Sequence, residues 1–395
     1  MNRKIAIVTG SRAEYGLLRP LLEEISADPD LTLQLVVTGM HLSEEFGLTY
    51  KQIESDGFVI NEKVDMALHS DTPVGIAESM ALAINGFAGT YERLKPEIVV
   101  VLGDRFEIFI ASAAATVSRL HIAHLHGGER TEGAIDEAFR HSITKMSHLH
   151  FTSTSQYRKR VIQLGEDPSC VYNVGAIGLD NIKNMDLLGK QELQERLNIK
   201  FNKHNILVTF HPVTLEDDTA GQQFQILLDA LNDLKQTNII FTKSNADTGG
   251  RTINSMIDEY AKTNPQKAVA FTSLGRLLYL STLQYVDAMV GNSSSGIIEA
   301  PSFKAGTINI GDRQKGRIKA ESVIDCLPSK EGINKAFQKL YSAEFQKNLK
   351  DVENPYSRPG TAKEIKKVLK NYCLRDTLKK TFYDIDFDMG DIDVA

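Results

Sequence analysis

The sequence from Asp287 to Glu299 reads DAMVGNSSSGIIE, an apolar strand that runs into a glycine- and serine-rich turn and then into an apolar helix. The two glycines allow the backbone to approach a ligand closely. Backbone N–H groups at a helix start attract anions, and serine hydroxyls add further donors. The pattern predicts a phosphate-binding turn, and a serine-rich helix cap without a ligand is the alternative. The candidate binding residues are Gly291, Asn292, Ser293, Ser294, Ser295, Gly296 and Glu299.

The same strand, turn and helix pattern recurs along the whole chain. Apolar, β-branched runs that end in Gly, His, Asp or Ser alternate with segments of helical period, which is typical of parallel sheets with helices on both faces. We therefore predict an α/β protein with two Rossmann-like domains that face a cleft (GT-B-like). The predicted strands are Ile5–Thr9, Leu31–Thr38, Ile98–Leu102, Ile122–Leu125, Leu149–Thr152 and Val171–Val174 in a first series, and Ile206–Phe210, Asn238–Thr242, Ala268–Thr272, Asp287–Val290 and Thr307–Ile310 in a second.

Length and composition exclude several classes of protein. The 395 residues suit two globular domains, and no apolar run approaches the ~20 residues that span a membrane. The start, Met1-Asn2-Arg3-Lys4, leads directly into a strand, so we expect no signal peptide and a cytoplasmic protein. A net charge of −6 disfavours nucleic acid as a partner. The widely spaced Cys170, Cys326 and Cys373 argue against a disulfide framework or a zinc knuckle.

The predicted domains follow from breaks in this pattern. The first domain is expected to cover residues 1–180, and the second residues 181–360, after a charged connecting helix near residues 189–196. A Pro/Gly break from Asn354 to Gly360 precedes a helix, residues 361–383, that is expected to cross back onto the first domain. An acidic tail, residues 384–395, completes the chain and is assigned no chemistry. Open parallel sheets bind ligands beyond the carboxyl ends of their strands, so the cleft is the predicted site.

The turn after the first strand reads Gly10-Ser11-Arg12-Ala13-Glu14-Tyr15-Gly16. It is neither a Walker A loop nor a GxGxxG turn, so an ATP or NAD site loses support and we predict no cofactor. Arg12 can donate two parallel hydrogen bonds to a phosphate. An arginine that caps its own loop is an equally good interpretation of this turn alone.

Proton-transfer groups follow two consecutive predicted strands further along the first series. Asp104 follows Ile98–Leu102, next to Arg105, a candidate for substrate binding, while His126 and Glu129 follow Ile122–Leu125 in the stretch HLHGGER. Asp136 begins the helix after them. Several such groups at one sheet edge favour acid/base chemistry over helix capping. A metal site is a competing interpretation, but neither HExxH nor a His pair at i, i+4 is present.

Polar residues also follow the strands of the second series. His211 follows Ile206–Phe210 and is expected to contact phosphate or transfer a proton. Asn245 lies in the turn SNADTG, which contacts substrate or simply forms a turn. Arg313, in the stretch DRQKGR after the last strand, supplies positive charge to the site or belongs to a solvated basic loop. Glu299 is within reach of a ribose diol.

Taken together, long motifs identify a family resemblance over nearly the whole chain. The chain resembles the bacterial hydrolysing UDP-N-acetylglucosamine 2-epimerases of the NeuC type, from sialic acid biosynthesis. The resemblance implies a GT-B-like fold, usually a homodimer, and the conversion of UDP-N-acetylglucosamine and water to N-acetylmannosamine and UDP. In that family UDP leaves by anti elimination, and water then adds syn to a bound 2-acetamidoglucal. The matching motifs are GSRAEYG, LGDRFEIF, HLHGGERTEGAIDEAFRHS, FHPVTLED, SNADTG, GNSSSGIIEAPS and TINIGDRQKGR.

The resemblance also implies residue roles. Asp104 and Asp136 match acidic residues implicated in catalysis, and His211 matches an active-site histidine. The glutamate of the wider family falls at His126, which leaves open whether His126 or Glu129 transfers a proton. The Gln-His-Arg loop of the allosteric site in non-hydrolysing relatives is replaced by residues 39–42, Gly-Met-His-Leu, so we expect no such activation.

Three other functions compete with this one. The first is the same reaction on UDP-N,N′-diacetylbacillosamine, in legionaminic acid synthesis. The second is a GT-B glycosyltransferase, and the third a non-catalytic UDP-sugar sensor. The clustered acids favour proton transfer at C2 over both of the latter.

Overall fold

The computed structural model describes residues 2–131, 135–180, 182, 185–212, 220–244, 249–375 and 377–386. In chain order the elements are β1 Arg3–Thr9, α1 Arg12–Ser26, β2 Leu31–Thr38, a 3₁₀ helix Gly39–Leu42, α2 Tyr50–Ser55, β3 Ile60–Val64, α3 Pro73–Leu94, β4 Ile98–Leu102, α4 Phe106–Val117, β5 His121–Leu125, α5 Asp136–Met146, β6 Leu149–Thr152, α6 Ser155–Gln163, a 3₁₀ helix Pro168–Cys170, β7 Val171–Asn173, a 3₁₀ helix Ile177–Leu179, α7 Lys190–Leu197, β8 His204–Thr209, α8 Ala220–Asn232, β9 Thr237–Thr242, α9 Gly250–Thr263, β10 Ala268–Phe271, α10 Gly275–Leu283, β11 Ala288–Gly291, α11 Ser295–Ile298, a 3₁₀ helix Ala300–Phe303, β12 Gly306–Ile310, β13 Val323–Cys326, α12 Lys330–Leu340, α13 Ala343–Leu349 and α14 Thr361–Asn371.

These described strands form two sheets in which every pairing is parallel. The first sheet has the order β3-β2-β1-β4-β5-β6-β7 and the second has the order β10-β9-β8-β11-β12-β13. Strands such as β4, IVVVL, are buried along their whole length, because helices cover both faces and every position needs an apolar side chain. The predicted α/β fold with two Rossmann-like sheets is confirmed.

The strand order reverses once in each sheet, and this determines which turns are neighbours. In the first sheet β1 pairs with both β2 and β4, so the turns after β1 and β4 lie side by side. In the second sheet β8 pairs with both β9 and β11, which brings the turn at His211 next to the turn at Gly291. Ligands of open parallel sheets bind at such reversal points.

Two edge strands were not predicted. These are β3, INEKV, and β13, VIDC, each with exposed polar residues that interrupt the apolar pattern. An edge strand has a neighbour on one side only and is less completely covered, so it tolerates such residues. The eleven predicted strands are all present, with ends that differ by at most two residues.

The C-terminal helix α14 packs on the first sheet's layer of helices. Ile365 and Leu369 are fully buried in the same core as α1. The Thr361 hydroxyl donates to the Val174 carbonyl (2.6 Å), and Lys366 pairs with Glu24 (2.8 Å). The helix ends at Asn371, which is shorter than the predicted span to residue 383, because Tyr372 already has extended backbone.

The described residues after α14, 372–375 and 377–386, run across the first domain without helix or strand. Lys380 pairs with Glu166 there (2.7 Å), and residues 384–386, Asp-Ile-Asp, are exposed and irregular. The rest of the predicted acidic tail, residues 387–395, lies outside the described residues. None of the described helices has the length and apolar character needed to span a membrane.

Candidate functional site

A cavity of about 290 Å³ lies between the carboxyl ends of the two sheets. Both domains line it, the first chiefly through the segments after β1 and β2 and the second through the turns after β8, β9, β10, β11 and β12. It therefore sits where the two reversal points face each other. The predicted site residues that line it are Arg12, His211, Ser293, Ser294, Ser295, Glu299 and Arg313.

The glycine-rich turn after β11 has a backbone that only glycine adopts easily. Gly291 has φ +134°, and a Cβ there would lie 2.0 Å from the Thr209 carbonyl oxygen of β8. The helix that follows, α11, has only four residues and continues as a 3₁₀ helix that contains Pro301. Its dipole is therefore small, and the anion-binding capacity of the turn rests on its backbone N–H groups and hydroxyls.

Asn292 joins the two neighbouring turns of the second sheet. Its side-chain oxygen accepts from the His211 backbone N–H (2.7 Å), and its side-chain nitrogen donates to the His211 carbonyl (2.8 Å). Asn292 is almost fully buried. It holds the loop of His211 against the serine turn, while the His211 ring lines the cavity, with Nδ1 3.1 Å from Ser244 Oγ.

Three arginines line the cavity. Arg12 donates to the Ser273 carbonyl across the cleft (3.5 Å), and Arg313 donates to the Asn292 carbonyl (3.2 Å). Burial lowers the pKa of Arg12. The third, Arg276, was missed by the sequence analysis, although it follows β10 just as the other candidates follow their strands. Extending the rule of strand ends to Ala268–Phe271 would have found it.

Arg276 differs from the other two arginines in its buried donor atoms. Its Nε and Nη1 atoms are buried, and no described residue accepts a hydrogen bond from either. Burial, followed by the charge of Arg19, lowers the pKa of Arg276 to about 10, so the guanidinium stays cationic at neutral pH. Buried donors without acceptors are costly, and a ligand that supplies acceptors relieves that cost.

His126 and Glu129 form one buried unit at the end of β5. His126 Nδ1 lies 3.1 Å from Glu129 Oε1, which also accepts from Ser153 Oγ (2.7 Å). Arg317, from the second domain, donates to Glu129 Oε2. Burial opposes ionisation, but the Arg317 charge and the hydrogen bonds outweigh it and lower the pKa of Glu129 to about 2. A carboxylate so paired orients the imidazole.

The other ring nitrogen of His126 is available for chemistry. Nε2 is buried, and no described residue forms a hydrogen bond with it. His126 also has φ +66°, a backbone conformation that is uncommon for a residue with a side chain and is often found at functional sites. Burial raises the pKa of the cavity-lining Glu299, against the opposing effects of the Ser295 hydrogen bond and of His126. The unit therefore lies within electrostatic range of the cavity.

Asp104, Arg105 and Asp136 are not among the residues that line the cavity. Asp104 accepts from the buried Arg140, and its own side chain is 21% exposed. Arg105 forms a buried ion pair with Glu107 (2.6 Å), and Asp136 is half-buried at the start of α5. Asn245 lies outside the described residues. No described group of three or more His, Cys, Asp or Glu residues could hold a metal ion.

Replacing Glu129 with Gln is expected to lower the free energy of unfolding by about 3 kcal/mol, because the buried Arg317 loses its ionic partner. Urea unfolding at pH 7 measures this. The depressed pKa also sets the pH dependence. The stabilisation is present above the unfolded pKa of about 4.5 and is lost as pH falls from there to about 2. The variant should therefore lose less stability than the wild type over that interval.

The control for this prediction is Glu192→Gln, which breaks the half-exposed Glu192–Arg196 pair within α7. It should change the free energy of unfolding by about 0.5 kcal/mol or less. Equal effects of the two substitutions would contradict a buried charge network at Glu129.

The chain is similar in sequence to proteins of known family. Residues 23–370 match the model of the family described as UDP-N-acetylglucosamine 2-epimerase. A GDP/UDP-N,N′-diacetylbacillosamine 2-epimerase (hydrolysing) of Campylobacter jejuni is 46% identical over 97% of this chain and 100% of its own length. The polysialic acid biosynthesis protein P7 of Escherichia coli is 40% identical over 97% of this chain and 98% of its own length. A UDP-N-acetylglucosamine 2-epimerase of Neisseria meningitidis is 33% identical over 82% and 83%, respectively.

Solved structures share the fold. A UDP-N-acetylglucosamine 2-epimerase from Neisseria meningitidis, bound to UDP-N-acetylglucosamine, superposes with a TM-score of 0.76 at 18% identity, over 93% of this chain and 100% of that one. The Methanocaldococcus jannaschii enzyme in complex with UDP-N-acetylglucosamine and UDP gives 0.75 at 17% identity, over 93% and 99%. The chain therefore belongs to the UDP-N-acetylglucosamine 2-epimerase family, among its hydrolysing members.

Proposed function

We propose that the chain converts a UDP-activated 2-acetamido sugar and water to the free C2 epimer and UDP, by anti elimination of UDP followed by syn hydration. The observation that carries the proposal is the pairing of two kinds of site across one cleft. Anion-binding groups line the cavity on the second sheet. Proton-transfer groups lie at the strand ends of the first.

The second domain is proposed to bind the nucleotide. The N–H groups of Ser293 and Ser294 and the hydroxyls of Ser293, Ser294 and Ser295 are the proposed donors to a diphosphate, and Arg12 and Arg313 add positive charge. Arg276 offers its unpaired donors to the same ligand, nearer to β10 at the opposite side of the cavity. Charge develops on the departing diphosphate as the C1–O bond breaks. Fixed donors that already point there stabilise it without reorganisation.

The first domain is proposed to transfer protons. In the first step a base removes the C2 proton, a double bond forms between C1 and C2, and UDP leaves with the electrons of the C1–O bond. In the second step, water adds to C1 and a proton adds to C2 on the same face of the double bond, opposite to the face from which the first C2 proton was removed. Inversion at C2 needs a proton-transfer group on each face of the sugar. We assign this work to Asp104, Asp136 and His126, with Glu129 orienting the His126 ring.

Two sugars are candidates for the substrate. The relative at 46% identity is named for N,N′-diacetylbacillosamine and the relative at 33% for N-acetylglucosamine. The higher identity favours UDP-N,N′-diacetylbacillosamine as the first substrate to test, ahead of the UDP-N-acetylglucosamine that the motifs suggest. The homodimer that the resemblance implies stays a prediction, which light scattering of the purified protein would test.

Incubation of the protein with each UDP-sugar in heavy water, without an acceptor, tests the reaction. We expect free UDP and the C2-epimerised sugar with deuterium at C2, measured by NMR and mass spectrometry. The substrate with the higher kcat/KM identifies the sugar. Hydrolysis to the unepimerised sugar without deuterium at C2 would contradict the proposal. Transfer of the sugar to an added acceptor, again without exchange at C2, would support the glycosyltransferase.

A further inference from the structure

Two buried carboxyl groups lie beneath the turn that carries Arg12, and neither belongs to the proton-transfer groups assigned above. Glu14 is on the first turn of α1, and Glu107 is on the first turn of α4. Both are almost completely buried. Buried carboxylates need a compensating charge or hydrogen bond, so each oxygen of the pair has to be accounted for.

Glu14 is tied to the turn by its backbone. Its Oε2 accepts from the Gly10 N–H (2.6 Å), and its own N–H donates to Ser11 Oγ (3.3 Å). This resembles a capping box, in which the serine and the glutamate of a helix start satisfy each other's backbone groups. A capping box alone would place Glu14 at the surface. Here Glu14 is buried instead, next to a second acid, Glu107.

Glu107 reaches the same glycine from the neighbouring turn. A Cβ on Gly10 would lie 2.4 Å from Glu107 Cγ and 2.7 Å from Glu107 Oε1, so Glu107 packs directly on the Gly10 backbone. Glu107 Oε1 accepts from Arg105 Nε (2.6 Å). Glu107 Oε2 is buried, and no described residue donates a hydrogen bond to it. A proton on the adjacent Glu14 would satisfy this oxygen.

We infer that Glu14 is protonated at neutral pH and donates a hydrogen bond to Glu107, and that this acid–carboxylate pair holds the Arg12 turn against the turn of Asp104. Glu14 is thus a positioning residue. The inference rests on the proposed function only where it takes Arg12 to bind the diphosphate. The turns after β1 and β4 are neighbours at the reversal point of the first sheet, so a bond between their side chains fixes the distance between Arg12 and Asp104.

The electrostatics of the site agree with this geometry. Burial and, next, the charge of Glu107 raise the pKa of Glu14 to about 8, against the opposing effect of Arg105. Among the described residues, Arg12 and His41 also lie at this turn. Burial lowers the pKa of His41 to about 3, so its charge does not change between pH 6 and 9.

The pH dependence follows from the sign of the Glu14 shift. In the unfolded chain Glu14 loses its proton near pH 4.5, and in the folded protein it keeps the proton to about pH 8. The folded state therefore binds more protons in this interval. The contribution of Glu14 to stability is fully present below pH 4.5, falls as pH rises to about 8, and is level above. Above pH 8 two like charges face each other at Gly10, and the Arg12 turn loses its fixed position.

Isothermal titration calorimetry with UDP at pH 7, 8 and 9 tests the inference. For the wild type we expect the dissociation constant to rise about tenfold between pH 7 and 9, as one pH unit above the pKa implies. Glu14→Gln keeps an acceptor for the Gly10 N–H and a donor for Glu107 at every pH. Its dissociation constant should match the wild type at pH 7 and stay within about twofold to pH 9. The control Glu78→Gln, at an exposed position of α3, should follow the wild type.

A second measurement detects the proton on Glu14 without the use of a ligand. Infrared difference spectra of the wild type between pH 6 and 9 should contain a protonated carboxyl band that disappears with a midpoint near pH 8 and is absent from Glu14→Gln. Absence of that band in the wild type, or the same tenfold weakening of UDP binding in Glu14→Gln, would overturn the inference. If UDP bound to none of the proteins while the band appeared, the nucleotide assignment would fail and the acid–carboxylate pair would stand. If Glu14→Gln did not fold, the wild-type band alone would decide.

Discussion

Replacing Asp104 with Asn is expected to lower the turnover of the UDP-sugar by about a thousandfold, the usual range for loss of a proton-transfer group, and to leave UDP affinity within about threefold. Asn has nearly the shape of Asp but accepts no proton at neutral pH. Asp104 is not among the residues that line the cavity, so UDP binding should not depend on its charge. Steady-state kinetics and calorimetry with UDP measure the two quantities separately.

The partner of Asp104 requires a stability control. The buried Arg140 donates to Asp104 and also lies 3.3 Å from Glu137, so it keeps one carboxylate in the variant. Unfolding of Asp104→Asn by urea must therefore accompany the kinetics. Asp28→Asn is the matched variant, because Asp28 also pairs with a basic residue, Lys370, but lies far from the cleft on the amino-terminal side of the first sheet. Turnover should be unaffected there. A matching loss of UDP affinity in Asp104→Asn would mean that Asp104 positions the nucleotide.

Replacing Gly291 with Ala is expected to lower the free energy of unfolding by at least about 3 kcal/mol and to abolish UDP binding, since overpacking and backbone strain add. The new methyl group would lie 2.0 Å from the Thr209 carbonyl oxygen, and φ +134° is not accessible to alanine at low cost. Gly291 and Thr209 are paired in the sheet. Relief of the clash would separate β8 from β11, together with the turns that carry His211 and the serines.

Gly311→Ala provides the control for strain without a clash. Gly311 also follows a strand of the second sheet and has φ +72°, but no atom lies within 4 Å of the position of its Cβ. Its substitution should cost about 1–2 kcal/mol, the strain of a left-handed conformation alone. Urea unfolding of both variants measures the difference. Equal losses would contradict the role of the Thr209 contact.

Much of the fold could be predicted from the sequence because helices cover both sheet faces. Central strands such as β4 then need apolar residues at every position, and the pattern stands out. Edge strands such as β3 do not show this pattern, since one side of the strand is exposed to solvent. The short length of α11 could not be predicted either, because the apolar run after Ser295 does not reveal where a helix gives way to a 3₁₀ turn.

The site was partly predictable for a related reason. Residues directly after predicted strands, such as Arg12 and His211, could be placed at the cleft because parallel strands end on one side. Residues that contact these groups from distant segments of the chain could not be predicted. Arg317 reaches Glu129 across 188 residues of sequence, and the approach of Glu14 to Glu107 depends on the reversal of strand order between β1 and β4. Only the topology brings these pairs together.

The position of α14 has a consequence for biosynthesis. A ribosome releases the first sheet long before residues 361–371, yet Ile365 and Leu369 complete the core that α1 shares with that sheet. The amino-terminal domain therefore leaves the ribosome with an apolar groove still open, and the groove closes only when the end of the chain arrives. The two halves of this protein should mature together rather than one after the other, in contrast to the usual order of synthesis in which the amino-terminal domain folds first.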